Sequence, residues 1–236
     1  PPQPILKVTK ENLINKFKFE NILLYSFALF PTAFLIGNLF INFFLLLFSL
    51  LFVIGLAFKK FKFQNQNKLF LYLLVFFLSS LIVNLVFSNN FYLTFPRILK
   101  FVFIIGSILC FCHAVIYFRE SEFIKIYKLW SVIFGLVLFD IIFELVFKFN
   151  IFGFSSIIPG RIVSFSNDEM NIGHFFYAFS LIFIVIIYAK VKNIYLIFIL
   201  SIFIILISFL IGERSNFIKT FLIILFFSFF AFDLKL

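Results

Sequence analysis

Glu213 and Arg214 stand side by side in the stretch SFLIGERSNFIK, between the apolar runs YLIFILSIFIILISFLI and FIKTFLIILFFSFFAF. An arginine guanidinium is charged at any relevant pH and presents a fork of donors that fits two phosphate oxygens at once. Gly212 allows a ligand close to the backbone. Ser215 opens the last apolar run, where a helix would leave backbone N–H groups free for an anion. A second arginine, Arg161, follows Pro159-Gly160 in the longest polar interruption of the chain and precedes Asp168-Glu169. This chemistry suits a phosphate-bearing anion. The alternative is that Glu213 and Arg214 are boundary residues reaching for water. A second arginine facing the same compartment favours the ligand.

Asp140 and Glu144 are the acidic residues well inside an apolar run, and their spacing of four puts them on one helix face. They are expected either to form a polar wall beneath the arginines, pairing with Arg97, Lys100 or Arg161, or to be wetted near the surface. Arg97 and Lys100, after Pro96, would extend the basic rim or bind lipid headgroups. His174, after Gly173, reads more readily as a packed residue than as a catalyst. Cys110, Cys112 and His113 match neither a four-ligand metal site nor a haem-attachment spacing, so they read as helix residues on the reducing side. No phosphate-binding glycine loop, zinc motif or nucleophile elbow is present, and neither metal nor cofactor is expected.

The elements that position these residues are set by composition. Of 236 residues, 64% are hydrophobic and 46 are Phe; the mean hydropathy is +1.19. A soluble domain holds roughly 45–50% apolar residues, so lipid is the solvent this chain implies. Runs of about 20 apolar residues predict membrane spans near 69–87, 98–118, 126–147, 173–189, 194–211 and 216–232. The run 21–58 is too long for one span; Pro31, Gly37 and Asn38 interrupt it, and it divides into a hairpin, 21–36 and 39–57. The expected fold is an all-α, polytopic bundle of about eight spans with a cytoplasmic N-terminus and an outer loop at 148–172.

The charges favour the hairpin. It leaves all but six of the 20 basic residues in the cytoplasm, the six being Arg97, Lys100, Lys148, Arg161, Arg214 and Lys219. The net charge of +10 then reflects cytoplasmic loops and not nucleic-acid binding. Residues 1–20 read as an interfacial segment on the inner leaflet, with Thr9 capping a short helix that has Leu13, Ile14 and Phe17 on one face. The chain begins without Met and stops directly after an apolar run, which reads as part of a longer protein.

Two motifs bear a resemblance. Arg161, Phe165, Asp168, Glu169 and Gly173 form R-x-x-x-F-x-x-D-E-x-x-x-G; Ser208, Gly212, Glu213, Arg214 and Ser215 form S-x-x-x-G-E-R-S. The combination resembles the bacterial O-antigen polymerase and O-antigen ligase superfamily, as does the hairpin of spans near the N-terminus. The resemblance implies a metal-independent glycosyltransferase of the membrane-embedded GT-C kind, multi-pass in the bacterial inner membrane. Its donor would be a glycan on undecaprenyl pyrophosphate, and polymerisation is favoured over ligation. It implies that Arg161 and Arg214 hold the pyrophosphate, while Asp168, Glu169 and Glu213 orient them or bind sugar hydroxyls. Membrane lipids, a chain-length regulator and other polysaccharide-assembly proteins would be partners. A general base is expected in a further C-terminal part, and this stretch alone is expected to be inactive.

A transporter or flippase of lipid-linked glycans would use the same arginines without chemistry. Such proteins often carry duplicated halves with broken helices, and no repeat is seen here. A structural subunit would leave the outer-face motifs unexplained.

Overall fold

A computed structural model describes residues 10–61, 68–156, 158–166 and 172–233, with the terminal residues, 62–67, 157 and 167–171 outside the description. Every regular element among the described residues is helical: α1 Lys10–Ile36, α2 Asn38–Ala57, α3 Lys68–Val86, α4 Phe91–Tyr117, α5 Glu120–Phe147, α6 Ile172–Val191, α7 Ile194–Leu210 and α8 Arg214–Asp233. A short 3₁₀ turn occupies Ser164–Ser166. Helices are the expected form for apolar runs in lipid, because each satisfies its own backbone groups where no water can.

By length and composition, five helical segments can cross a membrane: Phe19–Ile36, α2, α4, α5 and α6. Tyr72–Val86 and α7 are apolar but shorter. The hairpin breaks at Gly37, which has φ 126°. Its N–H still donates to Ala33 O at 3.1 Å, and its carbonyl accepts from Phe40 N at 3.1 Å, so the turn is tight. α1 runs on from Lys10 with no break near residue 20, so the short helix expected before the first span is continuous with it. Thr9, its expected cap, lies outside the described residues.

Pro31 does not interrupt anything, contrary to the sequence reading: it sits inside α1. A proline there removes the N–H that would bond the carbonyl four residues earlier. That carbonyl belongs to Phe27, and the Trp130 indole N–H donates to it at 3.0 Å. One bond satisfies both the orphaned carbonyl and the buried indole, which is how a helix in lipid keeps a proline.

The chain divides into two compact units, 1–23 with 41–119 and 24–40 with 120–236. In the first, a side chain at Gly106 would lie 2.8 Å from Ser49 Cβ and 3.1 Å from Ser49 Cα, so α4 meets α2 almost backbone to backbone. Ser107 Oγ sits 2.9 Å from Leu45 O. His113 stacks on Phe52 and Phe61, with ring centroids 5.7 and 5.1 Å away. Cys110 is buried and Cys112 exposed. Near the start of α1, Glu20 accepts a hydrogen bond from Tyr117 Oη at 2.6 Å.

In the second unit, α6 packs against α5, α7 and α8. The core is aromatic. Phe134 meets Phe176 and Phe183 at 5.0 and 4.9 Å between centroids, and Trp130 meets Phe179 edge-on at 5.3 Å. Lipid provides no hydrophobic drive between helices, so this close packing, with its ring geometry, is what holds the unit together. The end of α5, the start of α6, the end of α7 and the start of α8 all face one end of the unit, together with the loop 148–163.

Candidate functional site

The loop after α5 is anchored by the two acidic residues of that helix. Asp140 is fully buried and Glu144 nearly so. Glu144 Oε1 accepts from Val163 N at 3.2 Å and Oε2 from Ser164 N at 2.7 Å. Asp140 Oδ1 accepts from Ile151 N at 2.8 Å, and its Oδ2 accepts from the Ser164 hydroxyl at 2.6 Å. Asn150, also buried, donates to Ser164 O at 2.5 Å and accepts from Phe152 N and Phe154 N at 3.0 and 2.8 Å. Ser164 has φ 48°, a left-handed conformation that costs a residue with a side chain roughly 1–2 kcal/mol. All three of its polar groups are bonded, which offsets that cost. Asp140 and Glu144 therefore share a face, as their spacing requires, but that face grips the loop backbone. Neither lines the cleft described next.

Beyond this clasp, Arg161 N donates to Ile158 O at 3.2 Å, closing a turn at Pro159-Gly160, and Ile162 N donates to Ile211 O at 3.3 Å. The second bond ties the loop to the end of α7. There Gly212 takes φ 85°, a left-handed cap that ends the helix. A Cβ on Gly212 would come within 2.7 Å of Gly160 O and 3.3 Å of the Arg161 side chain. A Cβ on Gly173, at the start of α6, would collide with the Glu213 carboxyl group and reach 2.9 Å from Asn216 Nδ2. The two sequence motifs thus meet at two points, glycine against charged residue in each.

An open cleft of about 670 Å³ results, lined by Pro159, Gly160, Arg161, His174, Gly212, Glu213, Arg214, Ser215 and Asn216. Arg161 is half-buried and Arg214 exposed. The carboxyl of Glu213 accepts a hydrogen bond from Asn216 Nδ2, and that nitrogen also lies 3.3 Å from His174 Nδ1. Lys219 Nζ lies 3.5 Å from Asn216 Oδ1 and 5.8 Å above the Tyr177 ring. Two guanidinium groups against one carboxyl leave the lining with a cationic excess, and the first turn of α8 adds its N-terminal dipole. The arrangement can bind an anion with several oxygens at the end of a membrane helix bundle.

Of the residues singled out from sequence, Arg161, Arg214 and Glu213 come together here. Arg97 and Lys100 are exposed on the early turns of α4, in the first unit. Asp168 and Glu169 lie outside the described residues. Asn150 and Asn216 were missed. Asn216 was signalled: it stands three residues after Glu213, one helical turn, in an otherwise apolar helix. Among the described residues no three His, Cys, Asp or Glu side chains gather to hold a metal ion.

Comparisons with protein-family models, curated proteins and solved structures found no match to this chain.

Proposed function

We propose that this membrane protein acts in glycosyl transfer from an undecaprenyl-pyrophosphate-linked oligosaccharide, polymerising it in preference to ligating it, at the outer face of the bacterial inner membrane. The observation that carries the reading is the convergence of Arg161 and Arg214, 53 positions apart in sequence, on one cleft with Glu213. An acceptor hydroxyl attacks the anomeric carbon, the carbon–oxygen bond to the carrier breaks, the pyrophosphate leaves with the bonding pair, and the hydroxyl proton passes to solvent. Such a leaving group gains most from charge neutralisation by donors already in place, and the two arginines supply it. Glu213, held by Asn216, faces the sugar hydroxyls or steadies a guanidinium.

An apolar pocket of about 220 Å³, lined by α7 and α8 residues including Phe198, Ile202, Ile205, Leu225 and Phe229, adds support. It lies roughly 10–21 Å further along the same two helices, at about 1.5 Å of rise per residue. A lipid with an anionic head in the cleft would lay its hydrocarbon there. The reading includes eight crossings and a cytoplasmic N-terminus.

The test is the full-length protein in proteoliposomes supplied with lipid-linked oligosaccharide. The expected products are free undecaprenyl diphosphate and a longer or transferred glycan. Movement of intact donor across the bilayer with no diphosphate release would replace this reading with transport. Single cysteines at 161 and 214, in a background lacking Cys110 and Cys112, should both react with an impermeant reagent from outside.

Gly173→Ala separates site from scaffold. Gly173 stands on the first turn of α6, and the atoms a methyl group would meet are the ends of the flexible Glu213 and Asn216 side chains, so thermal stability should hold. The new methyl group displaces the Glu213 carboxyl, so turnover should fall roughly 10²-fold, the cost of a misplaced catalytic group. A stable variant with normal turnover would remove Glu213 from the site.

A further inference from the structure

We propose that His174 is a hydrogen-bond donor to the diphosphate, through Nε2–H, and that Asn216 is the positioning residue that fixes its tautomer. This rests on the cleft binding a diphosphate.

Two neighbours determine how the Asn216 amide is turned. Nδ2 faces the Glu213 carboxyl, which as an acceptor requires the NH₂ group there. Oδ1 faces Lys219 Nζ, a donor with no acceptor capacity. The amide is therefore oriented by its surroundings. The remaining Nδ2 hydrogen is 3.3 Å from His174 Nδ1. An amide nitrogen cannot accept, so Nδ1 must, and the ring proton sits on Nε2. The ring lines the cleft and is exposed, so Nε2–H is the ring donor left to meet what enters. Beside two cationic side chains, the cleft thus gains an imidazole donor on a helix, directed by a chain running Glu213, Asn216, His174. Glu213 acquires a second purpose, since it holds the amide that holds the ring.

The chain has two histidines, which makes the tautomer directly readable. In the full chain in nanodiscs, with His labelled in ¹⁵N and His113 replaced to assign the signals, His174 should show a protonated Nε2 and a bare Nδ1. Asn216→Asp, which turns the neighbour into an acceptor, should move a proton to Nδ1. Titration with farnesyl diphosphate should show about tenfold weaker binding for His174→Ala, the scale of one hydrogen bond to a charged group. His174→Gln, which keeps an amide donor, should recover part of the loss.

Wild-type His174 protonated on Nδ1 would overturn the inference without any variant having to fold. So would arginine-dependent binding that His174→Ala leaves unchanged, and in that case the proposed function survives. No binding of farnesyl diphosphate by the wild type would remove both. Inorganic pyrophosphate is the second arm: equal affinity for both probes keeps the His174 assignment and removes the lipid carrier.

Discussion

Arg161→Ala and Arg214→Ala should each cut glycan transfer by roughly 10²–10³-fold, the range seen when one preorganised donor to developing charge is lost. The protein should still insert and accumulate in membranes, because Arg161 lies in a loop, half-buried at the cleft, and Arg214 is exposed beside it at the first residue of α8. The lysine replacements should recover little activity. Lysine restores the charge but not the planar fork that spans two oxygens, and its compact ammonium is more strongly hydrated. Two measurements decide the matter together: diphosphate release in proteoliposomes, and the amount of folded protein recovered. Wild-type release from either alanine variant would dismiss the site. Recovery by lysine at one position alone would mean that position supplies charge without bidentate geometry.

Glu144→Ala should be the most damaging single change to the scaffold. It deprives Ser164 N of its acceptor and takes one hydrogen bond from Val163 N, and a buried donor left without a partner costs about 1–3 kcal/mol. That is a large share of the stability of any domain. Asp140→Ala removes the acceptors of Ile151 N and the Ser164 hydroxyl and should cost somewhat less, since a hydroxyl can turn to another acceptor. The loop 148–163 should become susceptible to protease in both variants, at temperatures where α5 and α6 remain intact. Transfer should fall as well, because this loop presents Arg161. The order of events separates these residues from the arginines: here the loop loosens first and activity follows. Protease resistance unchanged in Glu144→Ala would mean the clasp does not hold the loop.

Much of the architecture was legible from composition, for a physical reason peculiar to lipid. A chain this apolar must pair its backbone groups within each segment, so the apolar runs had to be helices. The observed ends of α2, α5, α6 and α7 lie close to the expected ones except at the start of α5, which begins at Glu120, a turn and a half before the expected 126. Helix and apolar run differ there because a helix can continue past the apolar stretch into polar sequence. Pro31 was misread for a related reason. Whether a proline breaks a helix depends on what bonds the carbonyl it orphans, and Trp130 lies 99 positions away in the chain.

At the site, residue chemistry was legible and assembly was not. Two arginines and a neighbouring carboxylate suggested an anion site through their types and their position at the edges of apolar runs, and the structure brings them to one cleft. That Asp140 and Glu144 share a helix face followed from their spacing. What that face meets did not, because the carboxyls meet backbone N–H groups, and every residue but proline carries one. The sequence by itself therefore determined the solvent, the helices and the chemical character of the cleft. Only the tertiary structure decided that Gly173 and Gly212 are the contacts where the two motifs close on each other, and that Asn216 joins Glu213 to His174. Helix formation is local and written in each segment, whereas these contacts depend on distances of a few tenths of an ångström between segments far apart in the chain.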